Sequence, residues 1–256
     1  MYTADPVLRD NFRKVFTAWG KSLEELALGD YVYGEVFVLP RTNFKTFAEQ
    51  ITWAYKHKAR HYYGESYPGK EWTHGPKWYL LIKLLWNPEA DRHAILADWY
   101  NCAVGEKAAP YLQKYFANLE KFWTEDVRKT AWFQEKRVYP AFGNTTYLEA
   151  YSPEKLNENE DLLKKCAESA VTPLQKARAK YFLELFMKRK GVIEAFWKAQ
   201  AVRRDAAKLD FRELFYKADF DPEPRHVSHW QRAKRNAKFL RDKVGGIDHS
   251  ECLLIS

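Results

Sequence analysis

The chain has 256 residues, 46% hydrophobic and 30% charged, which excludes a disordered polypeptide and supplies a core for one large domain or two modest ones. Its net charge of +8 raises nucleic-acid binding, but five of those charges lie between residues 200 and 245, where twelve Lys and Arg face seven Asp and Glu; a solvated basic helical face is expected there, and nucleic acid is the least favoured partner. Three scattered cysteines (Cys102, Cys166, Cys252) exclude a disulfide scaffold and a structural zinc site, no apolar run approaches the ~18 residues of a membrane span, and residues 1–6 lack the basic and apolar regions of a signal peptide.

Asp5-Pro6 predicts a helix start, and Leu8, Phe12, Val15, Phe16 and Trp19 recur at spacings of three and four, so one amphipathic helix is expected to end near Gly20. Residues 30–38 alternate and predict a strand, with Tyr31, Tyr33, Glu35 and Phe37 on one face and Val32, Val36 and Val38 on the other. Valines suit packing beneath helices, whereas tyrosines with a glutamate suit a lined cavity. Pro40 stops this strand. Asn43 is the expected cap of a second helix with Phe44, Phe47, Ala48, Ile51 and Tyr55 inward, and Lys56 to Lys58 close it on positive charge, as the helix dipole favours. Residues 60–65 read as a second strand with His61, Tyr63 and Glu65 on one face. A polar and aromatic loop, 66–74, and an apolar helix opened by Gly75-Pro76 follow.

This order calls for parallel strands joined by a helical crossover. Two such strands have bare edges and half-covered faces, so a piece of a larger sheet or barrel is expected.

Beyond Trp86 the pattern is wholly helical. Asn87-Pro88 breaks the chain, Asp91 caps a helix carrying Ile95, Leu96, Trp99 and Ala103, and after Gly105 another carries Leu112, Tyr115, Phe116, Leu119, Phe122 and Trp123. Residues 130–151 lack periodicity and read as an irregular packed connection. Ser152-Pro153 and Thr172-Pro173 predict two more helix starts, Gly191 marks a break, and a last helix is expected over about 226–244.

Three blocks carry a resemblance: Tyr31 to Arg41 (YVYGEVFVLPR), Tyr62 to Pro68 (YYGESYP) and Gly75 to Pro88 (GPKWYLLIKLLWNP), followed by Asp98-Trp99-Tyr100, Gly105 and Ala109-Pro110-Tyr111. Over about residues 5–125 the chain resembles a large bacterial family known only as a domain of unknown function, related to glycoside hydrolases and often found beside an α-glucuronidase N-terminal-like domain. The resemblance implies a mostly α chain with a small α/β part: residues 1–88 as the last two β/α units of a (β/α)8 (TIM) barrel, with strands seven and eight at 30–38 and 60–65, then a helical C-terminal domain over 89–256. Strands one to six are absent, so the expected partner is the missing barrel portion of the same or a neighbouring chain, and an extracytoplasmic parent is implied by analogy.

Glycoside hydrolysis uses two carboxyl groups flanking the scissile bond. Glu35 and Glu65 lie near the ends of adjacent expected strands, where barrel enzymes keep their functional groups, and are the catalytic candidates. Tyr33, Tyr63, Tyr67 and Trp72 are candidates for lining and stacking on sugar, and Arg41 and Lys77 for holding an acidic one. The plainer alternatives are ion pairing of each glutamate with Arg41 or Lys77, and ordinary packing of the aromatics. No cofactor is expected, since no P-loop, dinucleotide-binding glycine pattern or nucleophile elbow occurs; His226 and His229 have no third ligand, so no metal site is expected either. The favoured function is a glycoside-hydrolase-like chain acting on or binding a poly- or oligosaccharide, inactive alone because six strands are missing. The alternative is a non-catalytic carbohydrate-binding or helical interaction module.

Overall fold

In the computed structural model, which describes residues 5–32, 37–65, 74–134 and 145–207, the first helix, α1 (Pro6–Gly20), starts where its cap predicts. The Asp5 carboxylate accepts hydrogen bonds from the amides of Val7 (2.8 Å) and Leu8 (3.3 Å), satisfying donors that the first turn leaves open. At the other end Lys58 Nζ donates to the carbonyls of Gly20 (2.6 Å) and Leu23 (3.1 Å), placing a cation at the helix's negative pole. Of the expected stripe, Phe16 is buried, while Val15 and Trp19 are exposed.

Strands β1 (Leu26–Tyr31) and β2 (Ala59–Glu65) form a parallel pair, joined by the crossover helix α2 (Phe44–Lys56). α2 packs on β2 with Phe44, Phe47, Ala48, Ile51 and Ala54 buried. Asn43 occupies its N-cap position but makes no side-chain cap bond. The register runs from Leu26 opposite Ala59 to Tyr31 opposite Glu65, with one slip after Leu26 that makes Arg60 a bulge. The Arg60 guanidinium donates to the carbonyls of Tyr55 and Ala59, both at 2.8 Å, and lies 4.6 Å from the centre of the Tyr55 ring.

The first strand lies four residues earlier than its expected start at residue 30 and ends at Tyr31. Residues 33–36 lie outside the described residues, and Phe37 to Leu39 form a bend. Contacts far along the chain outweigh the local alternation here. The Phe37 ring packs edge-on against Trp123, Trp132 and Tyr147 at centroid distances of 5.1, 6.1 and 5.7 Å, and the Val38 amide donates to the Tyr147 hydroxyl at 2.9 Å rather than to a neighbouring strand.

On β1, Leu26, Leu28 and Asp30, with Val32 just beyond, are buried, while Ala27 and Gly29 are exposed. On β2, Tyr62 is half-buried, and His61 and Tyr63 are exposed. One face of the sheet is therefore packed and the other is open.

Helices α3 (Gly75–Trp86), α4 (Arg92–Val104), α5 (Ala109–Lys121), the short α6 (Ala131–Gln134), α7 (Pro153–Ser169) and α8 (Pro173–Ala207) follow, with a π-helical turn at Phe122–Asp126 and 3-10 turns at Val127–Lys129 and Thr146–Ala150. α3 packs on α2 and α4, α4 on α5, and α5 on α7. The fully buried Phe116 ring meets Phe44, Trp99, Tyr115 and Phe182 within 6.2 Å, so much of the aromatic content serves the core.

Two caps act as the sequence predicts. Ser152 accepts from the Lys155 amide at 3.4 Å, and Thr172 accepts from the Gln175 amide at 3.2 Å while the Gln175 side chain accepts from the Val171 and Thr172 amides. α8 passes through Gly191 without the expected break. The chain divides into two compact units, Met1–Ile193 and Glu194–Ser256; of the second, only the end of α8 is described, and the helix expected over 226–244 lies outside the described residues. No described helix is long and apolar enough to cross a membrane.

Candidate functional site

Parallel pairing brings the C-terminal ends of both strands to one edge of the fold: Asp30 stands opposite Gly64, and Tyr31 opposite Glu65. Asp30 shares its parity with Leu26 and Leu28 and is buried with them on the packed face. The chain leaving β1 returns through Arg41, Thr42 and Asn43, the last two buried, into α2. The chain following β2 enters α3 at His74, its N-cap, with Lys77 one turn further on; both are buried.

Asp30, Arg41 and His74 all interact with Lys77. Lys77 Nζ donates to the Arg41 carbonyl at 3.5 Å. Burial holds the Lys77 amine far below its ordinary range, at about 7; the Arg41 guanidinium pushes the same way, and the Asp30 carboxylate opposes it. Burial, and then the Lys77 charge, lower His74 to about 3, so its imidazole is neutral at pH 7. The Thr42 hydroxyl and His74 Nδ1 are both buried without a hydrogen-bond partner among the described residues.

The residues predicted for a single site separate into two groups. Arg41 and Lys77 come together on the packed side, with the Arg41 guanidinium 5.6 Å from the centre of the Phe37 ring. Tyr63 is 69% exposed on the open face, and Glu65 closes β2 at the same parity. Tyr33, Glu35, Tyr67 and Trp72 lie outside the described residues. Asp30, Thr42 and His74 are not singled out by the sequence reading. The available signals are the position of Asp30 two residues beyond Leu28 and of His74 three residues before Lys77, but both read equally well as loop residues. Among the described residues no group of three His, Cys, Asp or Glu is placed to hold a metal ion.

Neither the curated proteins nor the solved structures contain a match to the chain. A family model matches residues 3–117, a segment that spans both strands, α1 to α4 and most of α5, and includes both groups of site residues. Over residues 3–117 the chain is thus similar to the family described as a domain of unknown function, DUF4838.

Proposed function

We propose that this chain is the C-terminal part of a carbohydrate-active, glycoside-hydrolase-like (β/α)8 barrel, binding an oligosaccharide on the open face of the β1–β2 sheet. One observation carries the reading: the sheet is parallel, yet Ala27, Gly29, His61 and Tyr63 on one of its faces are exposed. Parallel sheets are ordinarily covered on both faces. Closure into a barrel by strands from the same or a neighbouring chain would cover this face and make it the barrel interior, with functional groups at the strands' C-terminal ends. The Tyr63 ring is a platform for a sugar's apolar face, and Glu65 is the carboxyl candidate for acid–base chemistry or for hydrogen bonding to sugar hydroxyls.

The test is Tyr63→Ala in the isolated chain, titrated with neutral and uronic oligosaccharides and followed by tryptophan fluorescence, with Glu65→Gln assayed in the complete barrel. At least a tenfold loss of affinity and abolished turnover are expected. Unchanged binding removes the open face from the site, and unchanged turnover removes Glu65 from the chemistry.

The aromatic core around Phe116, shared by α2, α4, α5 and α8, favours a second reading, a self-standing non-catalytic binding module. A cooperative monomer by light scattering and thermal unfolding supports that reading, whereas an aggregating or non-cooperative chain supports the barrel.

A further inference from the structure

An ammonium has three donors, and Lys77, only 4% exposed, uses one of them in a long hydrogen bond to the Arg41 carbonyl. Beside it, on the same turn, His74 Nδ1 has no partner among the described residues. The same holds for the hydroxyl of Thr42, which is next to Arg41 and 2% exposed. The twelve-residue helix α3 has no side-chain cap from His74 at its N-terminus, so its first-turn amides also lack that capping acceptor. Buried polar groups almost always find partners, so this concentration of unmatched groups calls for one. Its chemistry follows from what these groups have in common: an ammonium, an imidazole nitrogen that carries a proton in one tautomer, a hydroxyl and helix N-terminal amides can all donate to the same acceptor. Two cations, Lys77 and Arg41, stand near the carboxylate of Asp30, so the further acceptor they favour is negative.

We propose that Thr42, His74, Lys77 and the first turn of α3 form a binding site for an oxyanion (carboxylate, phosphate or sulfate) on the packed side of the sheet. Oxyanions offer several acceptor oxygens to converging donors, charge-assisted bonds to them are the stronger kind, and a helix N-terminus adds favourable dipole and amide contacts. The site stands apart from the open face carrying Tyr63 and does not rest on the carbohydrate reading.

The experiment titrates the full chain at pH 6 with inorganic phosphate, sulfate and glucuronate at constant ionic strength, reading calorimetric binding and Tm against a chloride control. Saturable one-to-one binding is expected, weakened at least tenfold in Lys77→Met and several-fold in Thr42→Val, and unchanged in Trp19→Ala, at an exposed position of α1. Binding of phosphate or sulfate identifies a free anion, and binding of glucuronate alone identifies the anionic group of a sugar. If none binds beyond chloride, the proposal is overturned, as it is if Lys77→Met binds like the parent. Should Lys77→Met fail to fold, Thr42→Val and the 15N shifts of His74 decide: a phosphate-dependent shift supports the site, and a ring blind to all three anions overturns it.

Discussion

The indole Nε1–H of Trp123 donates to the carbonyl of Pro40 at 2.7 Å, a buried bond between residues 83 apart in sequence. It fastens the chain leaving β1 to the helical region immediately before Arg41 and Thr42. Trp123→Phe keeps an aromatic ring but leaves that carbonyl without its donor, at a cost of about 1–3 kcal/mol. Urea unfolding should show a lower midpoint at unchanged slope, and phosphate affinity should fall with it because Thr42 loses its support.

Lys77 and His74 make stability depend on pH with the same sign. For Lys77, the folded value of about 7 lies below the unfolded 10.5, so below pH 7 both states are protonated and the buried charge weighs fully on the fold. Between pH 7 and 10.5 the unfolded chain keeps a proton that the folded protein has lost, and stability rises. For His74, stability is fully present above 6.5 and is lost as pH falls toward about 3. Lys77→Met is therefore expected to be more stable than the parent at pH 6 by an advantage that shrinks by roughly 4 kcal/mol up to pH 10.5. Thermal denaturation at a series of pH values checks it; an advantage independent of pH removes the buried ammonium as its cause.

Gly105, with φ of +85°, ends α4, and a Cβ there would lie 2.6 Å from the Gln175 side chain. Gly105→Ala combines a strained backbone with displacement of the residue that caps the start of α8. A loss of about 2–3 kcal/mol is expected from calorimetry. Restoring room with Gln175→Ala should not rescue it, because the cap is lost as well.

Gly191 presents the opposite case. It sits inside α8, and a methyl group added at its Cα would meet nothing within 4 Å among the described residues. Gly191→Ala should therefore stabilise the fold by about 0.5–1 kcal/mol through helix propensity alone. A small upward shift in Tm is the readout; a fall would point to a helix that needs glycine's freedom.

What the sequence determined by itself was mostly helical and local. Asp5, Asp91, Ser152 and Thr172 cap the helices whose starts they mark, because a cap depends on amides two or three residues away. β2 and the buried stripes of α2, α4 and α5 are legible for a similar reason, a period of 2.0 or 3.6 written along one segment, although Tyr55, expected inward on α2, is exposed. Tertiary structure decided the rest. Trp123 and Tyr147, more than eighty residues downstream, draw Phe37 to Pro40 away from the sheet, and β1 forms instead from an earlier segment whose alternation is short and interrupted by Gly29. Pairing then buries Asp30 and leaves Tyr63 open, and the return through Arg41 meets the first turn of α3 at Lys77. No local pattern encodes which charged side chains end up out of water. That depends on which distant surfaces close over them, because the free energy of closing an aromatic core exceeds the local preference of a short strand.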